Sequence, residues 1–362
     1  MVTSYLPWGW GLGTTGQLGD NTAASKSSPV LVIGYHSFIQ LSSGSGGGLC
    51  LKADGSCWTW GLGSSGQLGD NTTTAKSSPV LVVGSHSFTL VSGASTVNLA
   101  LKSDGSCWAW GLGTSGQLGD GTATSKSSPV LVVGSHSFRN IAAGSSFSLG
   151  LKSDGSCWAW GAGSSGQLGD NTTTAKSSPV LVVGNHSFIS VVGGNDFAMG
   201  LKSDGSCWAW GLGTSGQLGD NTVISKSSPV LVVDNHSFIQ ISCGTGTAMG
   251  LKSDGSCWTW GYGGFGVLGD NTTTDKSFPV LVVGDHSFSQ VDCSGIFAAG
   301  LKSDGSCWTW GLGIYGQLGD NTVTSRSSPV LVVGPVRFTR ISAGAIGSQM
   351  FGLQGYFSSV TF

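Results

Sequence analysis

The segment from Gly205 to Gly219 reads GSCWAWGLGTSGQLG, and the segment after it, through Val233, reads DNTVISKSSPVLVV. The combined pattern returns every 50 residues, seven times in all, with few changes. Its two tryptophans, Trp208 and Trp210, recur at that interval and account for all 14 tryptophans of the chain. A period of this length over a whole chain indicates a repeat architecture, because a single unit cannot bury its own apolar face.

Each unit is predicted to form four short antiparallel strands, which we name A to D in chain order. In the unit 186–233 they read FISVVGG, AMGLKSD, CWAWG and PVLVV. Asp204-Gly205, between strands B and C, is a tight-hairpin signal. Pro229 lacks an amide donor and therefore suits an outer edge strand. Nothing helical lies between the strands, so each unit is predicted to be one propeller blade.

The two ends of the chain predict a closed ring. The chain begins inside a unit, at strand C (6–10), and its last full strands are A and B (338–353). We therefore expect an all-β fold, a seven-bladed β-propeller of four-stranded antiparallel blades that forms one domain over residues 1–362. The expected blades are 36–83, 86–133, 136–183, 186–233, 236–283, 286–333, and 338–353 together with 6–33. Residues 354–362 are predicted to be a C-terminal strand or a clamp on the closure.

The charge pattern argues against nucleic-acid binding. Charged residues make up only 9% of the chain, there is no glutamate, and the net charge is −2. Of the 34 charged side chains, 26 occupy positions that recur with the repeat, and their signs balance. No apolar run is long enough to span a bilayer. The first residues lack a basic region followed by an apolar core, so no signal peptide is expected.

The repeated cysteines and histidines are predicted to be structural. Six of the nine cysteines share one repeat position, and in a ring these lie more than about 10 Å apart, beyond disulfide reach. Cys243 and Cys293 share a position on the innermost strand of adjacent units, where both a disulfide and two reduced thiols stay open. The six histidines, His36 to His286, each lie in the D to A turn of a different blade. We expect each to bond its own backbone and predict no metal site.

The sequence predicts neither an enzyme nor a cofactor. Ser, His and Asp all recur with the period, and no constellation stands apart as a catalytic triad would. The stretch GLGTSGQLG has the glycine spacing of a dinucleotide-binding fingerprint, but it precedes no helix and so lacks the context that such a site needs.

The repeat resembles that of a known family. WG at 60–61, GQLG at 66–69 and Pro79, within a unit of about 50 residues, resemble the regulator of chromosome condensation repeat. The resemblance covers the whole chain, and Val267 is the one departure from GQLG. It implies a seven-bladed propeller whose last blade mixes strands from both termini.

The resemblance does not fix an activity. Members of the family include the guanine-nucleotide exchange factor for the Ran GTPase, a bacterial inhibitor of β-lactamases, and phage proteins. They share the fold and a loop face that grips a protein. This chain lacks the basic tail and the protruding insertion of the exchange factor, so nucleosome binding and Ran exchange are not expected.

The units differ mainly in the A to B turn and the C to D connection, which emerge on the same face of an antiparallel blade. We call this the loop face and predict that it binds a partner, with aromatic and aliphatic anchors and a few polar contacts. The candidate binding residues are Phe265, Tyr315, Ile314, Ile296, Asn195, Asp196 and Arg139. An alternative stays open, in which the loops drift freely once the blade core is fixed.

The sequence thus predicts a non-enzymatic binding or structural propeller that recognises a protein or a glycan. Its low charge and near-identical repeats favour a phage virion component, in decoration, tail or host contact, assembled in the host cytoplasm. The alternative is an adaptor or inhibitor in the bacterial cytoplasm. No nucleic-acid partner and no membrane insertion are expected.

Overall fold

The computed structural model describes residues 4–44, 46–344 and 348–356. They form seven four-stranded antiparallel sheets arranged as the blades of a propeller, which confirms the predicted fold. Among these residues, the helical structure is limited to one 3₁₀ turn at Gly264–Gly266. We number the six blades built from continuous chain 1 to 6, and blade 7 combines strands from both ends.

Each blade, from blade 1 to blade 7, contributes one strand to each of the four types A to D. The A strands are Gln40–Gly44, Leu90–Gly93, Asn140–Ala143, Ser190–Gly193, Gln240–Cys243, Gln290–Cys293 and Arg340–Ala343. The B strands are Gly47–Leu51, Val97–Leu101, Phe147–Leu151, Phe197–Leu201, Thr247–Leu251, Phe297–Leu301 and Gln349–Tyr356. The C strands are Cys57–Gly61, Cys107–Gly111, Cys157–Gly161, Cys207–Gly211, Cys257–Gly261, Cys307–Gly311 and Ser4–Gly11. The D strands are Lys76–Leu81, Lys126–Leu131, Lys176–Leu181, Lys226–Leu231, Lys276–Leu281, Arg326–Leu331 and Lys26–Leu31.

Blade 7 closes the ring by pairing the two ends of the chain. Its strands B and C run antiparallel, with Ser4 opposite Tyr356 and Gly11 opposite Gln349. Residues 354–356 extend strand B rather than form a separate strand, and Trp8 Nε1 donates to Gln354 Oε1 at 3.0 Å. The remainder of the predicted clamp, residues 357–362, lies outside the described residues.

The B to C hairpin forms as its sequence predicts. Gly205 has a φ of 83°, which favours glycine, and its amide donates to the carbonyl of Lys202 at 3.0 Å. The Asp204 carboxylate accepts from the amide of Ser206 at 2.9 Å. This local turn places strand C directly beside strand B, with Leu201 opposite Cys207.

Successive side chains of strand C point alternately toward the two neighbouring blades and pack in the joints on both sides. Trp210 is fully buried, stacks on Phe188 at 5.8 Å and packs on Leu149 of blade 3. Cys207 and Ala209 point to the other side, into the joint with blade 5. Each blade therefore contributes tryptophan to one neighbour and small side chains to the next.

One hydrogen bond recurs at all seven joints. The second tryptophan of each blade donates from Nε1 to a backbone carbonyl in the GQLG segment of the preceding blade, at 2.9 to 3.1 Å. The last two links, Trp10 to Gln317 and Trp60 to Gln17, close the ring. Because the acceptor is backbone, Val267 serves in place of glutamine for Trp310.

The cysteines are free and buried, including Cys243 and Cys293. Burial raises the pKa of the Cys243 thiol well above its ordinary value. The structure therefore has the two reduced thiols of the alternatives that the sequence left open, in a form that is poorly nucleophilic.

The turn histidines differ from the sequence prediction. The ring of His236 lies 4.4 Å from that of Trp258, and neither ring nitrogen has a hydrogen-bond partner among the described residues. Lys252 Nζ lies 4.4 Å from the same indole. The histidine thus packs on the aromatic ring rather than bonding its own backbone, because the turn brings the ring directly over the tryptophan.

Candidate functional site

The two faces of the propeller differ in how uniform they are. The face that carries the B to C and D to A turns, here the turn face, repeats the same contacts in six blades. In blade 4, Lys202 Nζ lies 4.5 Å from the ring of Trp208, and His186 lies 4.4 Å from that ring. The loop face carries the residues that vary between units, so the candidate site lies there.

On the loop face, a buried glutamine fixes the C to D connection of six blades. In blade 4, Gln217 is 1% exposed and its Oε1 accepts from the amide of Ser215 at 2.8 Å. Gly216 and Gly219 flank it with φ values of 81° and 65°. The same bond forms in blades 1, 2, 3, 6 and 7. The glutamine thus ties down the loop that precedes it.

Blade 5 lacks this glutamine hydrogen bond, and its loop has a different conformation. Val267 has no side-chain acceptor, and the loop turns through the 3₁₀ segment with Phe265 at φ 61° and ψ 8°. Left-handed backbone costs a residue other than glycine roughly 1–2 kcal/mol. A Cβ at Gly264 would collide with the hydroxyl of Tyr262, so glycine is required beside the tyrosine. The strained turn leaves the Phe265 side chain 47% exposed.

Large exposed apolar side chains on the C to D connections are confined to blades 4 to 6 within the described residues. With the exposed phenylalanine early in strand D of blade 5, they form what we call the apolar patch. Its members are 40% to 62% exposed. They are Val223, Ile224, Phe265, Phe278, Ile314, Tyr315 and Val323.

The loops that carry the apolar patch contact one another from blade to blade. The amide of Asn221, two residues before Val223, donates to the carbonyl of Ser277 at 2.9 Å, next to Phe278. In the following joint, Gly266 lies directly on Ser327, where a Cβ would collide with that residue. The loop of blade 4 therefore lies on blade 5, and the Phe265 loop lies on blade 6.

The predicted anchors Phe265, Ile314 and Tyr315 are all exposed, on the C to D connections of blades 5 and 6, and are members of the apolar patch. Ile296 is placed differently: it is half-buried and packs in the joint between blades 6 and 7. Its carbonyl accepts from the amide of Leu312 at 2.8 Å. Ile296 thus supports the loop face from beneath.

The polar candidates Asn195 and Asp196 bond each other and a neighbouring blade. The Asp196 carboxylate accepts from Asn195 Nδ2 at 2.5 Å and from Gln167 Nε2, in blade 3, at 3.2 Å. Burial raises the pKa of the Asp196 carboxyl. The pair therefore lies on the loop face at the joint between blades 3 and 4 and is not part of the apolar patch.

The expected position of Arg139 on the loop face was wrong. Arg139 precedes strand A of blade 3, and this end of the strand belongs to the turn face. Its Nε donates to the carbonyl of Lys152 at 3.0 Å. Its Nη2 donates to the carbonyls of Phe188 and Ile189 at 3.0 and 3.2 Å. Arg139 therefore clamps blade 3 to blade 4.

The candidate residues chosen from the sequence did not include Val223 and Ile224 of the apolar patch. They also did not include Phe278, Val323 or Asp292. All three were visible as departures from the repeat, since the equivalent positions are mostly Ser, Thr or Ala. Asp292 lines a central channel of about 140 Å³ formed by the A strands. Its carboxylate accepts from Ser242 Oγ at 2.6 Å and from the amide of Ala343 at 2.9 Å. Burial raises the pKa of Asp292 to about 6.

The described part of the chain has neither a cluster of metal ligands nor a membrane-spanning helix. There, no three side chains among His, Cys, Asp and Glu lie close enough together to hold a metal ion. Nor does any helix in that part have the length and apolar character needed to cross a membrane.

Comparison with family models matches the chain to the regulator of chromosome condensation repeat at residues 54–101, 104–151, 154–201, 204–251, 254–301 and 304–348. A second model of the same repeat matches residues 138–167, 188–217 and 238–267. No match to the sequence was found among the curated proteins.

Several solved structures have the same fold. Human WBSCR16 is 21% identical, with a TM-score of 0.87 over 97% of this chain and 99% of its own. Yeast RCC1 (Prp20), solved with Kap60, is 18% identical, with a TM-score of 0.88 over 99% and 90%. Saccharomyces cerevisiae Prp20p, described with its binding to Gsp1p and histones, is 20% identical, with a TM-score of 0.87 over 99% and 93%. At these identities the similarity shows the fold alone.

Proposed function

We propose that this chain, which belongs to the regulator of chromosome condensation repeat family, is a non-enzymatic scaffold that binds another protein through the apolar patch. The observation that carries the proposal is the confinement of exposed apolar side chains on the C to D connections to three consecutive blades. Several large exposed apolar side chains on neighbouring loops commonly mark an interaction site, whereas exposed apolar residues scattered singly need no explanation.

The backbone of blade 5 supports the same proposal. Phe265 holds a left-handed conformation and exposes its ring, although the equivalent positions in other blades carry Ser, Thr or Tyr on a loop tied down by glutamine. A strained and exposed aromatic residue gains nothing in the isolated domain. A buried aromatic anchor at the centre of an interface does stabilise a complex.

The proposal includes the absence of enzymatic activity. The reason is that the recurring charged groups of the loop face are already paired with one another. An Asp in each C to D connection pairs with the Lys or Arg that begins strand D, with N to O distances of 3.2 to 3.8 Å. The same carboxylate also caps the following turn, as Asp220 does for the amide of Thr222 at 3.1 Å. Groups paired in this way in every blade serve the loop rather than a reaction.

A protein fits the apolar patch better than a glycan does. Four of its seven members are aliphatic and offer neither hydrogen bonds nor a flat aromatic ring for a sugar. Two structures with this fold concern protein binding, of Kap60 in one and of Gsp1p and histones in the other. This supports a protein partner here without naming it.

The site of action is a separate part of the proposal. The charge content of 9% and the near-identical repeats support a place in a phage particle. Mass spectrometry of purified particles should then detect the chain at a fixed ratio to the capsid or tail proteins. Recovery only from the soluble fraction of the bacterial cell would favour the adaptor or inhibitor instead.

The binding role is tested with variants matched for exposure. The double variant Phe265→Ser and Tyr315→Ser should weaken binding to a purified partner more than tenfold, because such anchors contribute about 2 kcal/mol or more. The control is Ile189→Ser with Ile239→Ser, which changes two exposed apolar residues before strand A, on the turn face. The control should bind like the wild type. Equal affinity of the patch variant and the wild type would rule out the apolar patch as the binding surface.

A further inference from the structure

The charges on the repeat lattice cancel on both faces of the propeller. On the loop face, seven Asp residues pair with six Lys residues and Arg326. On the turn face, six Asp residues, Asp54 to Asp304, accompany six Lys residues, Lys52 to Lys302. The net charge of each face is therefore set by the eight charged residues outside the lattice.

These eight residues are divided unevenly between the faces. The loop face has Asp196 and Asp275, and the channel has Asp292. Among the described side chains, no cation outside the lattice lies on the loop face. The turn face has Asp234, Asp285, Arg139, Arg337 and Arg340. The loop face is consequently acidic, and the turn face is slightly basic.

Asp275 places a negative charge beside the apolar patch. It is exposed and lies in the C to D connection of blade 5, where its Oδ1 accepts from the amide of Gly263 at 2.9 Å. Gly263 is two residues before Phe265. Asp275 makes no ion pair with any described residue, so its charge is available to a partner.

The fold does not require a charge at this position. In blades 4 and 6 the equivalent residues are Ser225 and Ser325, whose hydroxyls accept from the corresponding glycine amides at 3.1 and 3.2 Å. A neutral side chain therefore makes the same bond. The carboxylate of Asp275 adds a negative charge next to the aromatic anchor without adding a contact within the loop.

We infer that the apolar patch binds a basic, apolar segment of a partner protein, in which Lys or Arg lies opposite Asp275 between apolar side chains. This inference rests on the proposed function and specifies the chemistry of the partner. Covering an unpaired carboxylate with apolar surface alone removes its water without replacement, and an acidic segment adds repulsion. A cation at hydrogen-bond distance supplies both the charge and the donors that the carboxylate needs.

A library of displayed random dodecapeptides tests the inference. The library is selected on the wild-type protein after depletion on the Phe265→Ser, Tyr315→Ser variant, so that only peptides specific for the apolar patch remain. We expect the enriched peptides to combine aromatic or aliphatic residues with Lys or Arg. Enrichment of acidic or uncharged peptides would overturn the inference, and so would a selection in which no peptide is enriched relative to the depleted library.

The variant Asp275→Ser then isolates the charge, because serine makes the same loop contact in the neighbouring blades. Synthetic peptides from the selection should bind it at least fivefold more weakly than the wild type at low salt, with unchanged melting temperature of the protein. Equal affinity would contradict the role of Asp275. If a purified partner needs Phe265 and Tyr315 while the peptides show no basic preference, the proposed function stands and this inference fails. Patch-dependent dimerisation in sedimentation velocity would likewise overturn it in favour of a second copy.

Discussion

At the scale of single residues, Asp292 replaces a serine that four other blades carry in the channel. The hydroxyl of Ser42 accepts from the amide of Gly93 at 2.9 Å, and the Asp292 carboxylate does the same for Ala343. Both residues thus join one inner strand to the next, but only Asp292 brings a charge into the channel. The sequence shows the substitution, whereas its burial depends on the ring and was not predictable from one unit.

Asp292 predicts a pH dependence of stability. Its pKa in the folded protein is about 6, above the ordinary value of 3.8, so its contribution favours the folded state at low pH and is lost as pH rises through 6. The variant Asp292→Ser should therefore gain stability relative to the wild type as pH rises from about 4 to about 6, the interval between the two pKa values. The difference in melting temperature between the two proteins across this range measures the effect. The histidines are the same in both proteins, so their titration does not contribute to this difference. Parallel curves would contradict the assignment.

At the scale of the element, most of strand C was predictable and the connections were not. Alternation predicted that Trp208 and Trp210 share a face, and Asp-Gly predicted the hairpin before them. The conformation of the Phe265 loop was not predictable, because the glutamine bond that Val267 removes appears only in three dimensions. The position of Arg139 was predicted wrongly because it directly precedes strand A, and that end of the strand lies at the turn face and not at the loop face.

The two tryptophans of strand C predict unequal costs of substitution. Trp210 Nε1 donates to the carbonyl of Gln167, whereas Trp208 Nε1 is buried without a partner. Trp210→Phe leaves a buried carbonyl unpaired and opens space in a joint, which should cost about 2–4 kcal/mol. Trp208→Phe should cost about 1 kcal/mol or less. Urea unfolding of both variants gives the comparison, and equal costs would contradict the role of the joint bond.

At the scale of the whole molecule, the sevenfold period and the position of the two ends were enough to predict the closed ring. The recurring tryptophan bond gives this closure a physical basis, since the same contact forms between Trp10 and Gln317 as within the continuous chain. The period alone could not show which of the residues that differ between units are functional. That required the exposure of each side chain and the order of blades 4 to 6 around the ring.

The closure predicts that the chain tolerates new ends. Leu353 lies opposite Pro7 as Leu201 lies opposite Cys207, a pair that KSDGS joins. A circular permutant that links 353 to 7 by KSDGS and opens at Asp204-Gly205 should melt within a few degrees of the wild type. A second permutant, opened inside strand C of blade 4, serves as the matched control and should melt much lower. Failure of the first permutant to fold would contradict the equivalence of the blades.

The proposed function requires a partner protein to bind on the apolar patch of blades 4 to 6. Hydroxyl-radical footprinting of the purified complex tests it most directly, because the exposed Phe, Tyr and Ile side chains of the patch react in the free protein. We expect the partner to protect Ile224, Phe265, Ile314 and Tyr315, while Ile189 on the turn face reacts as before. Protection of Ile189 with full reactivity of the patch would contradict it.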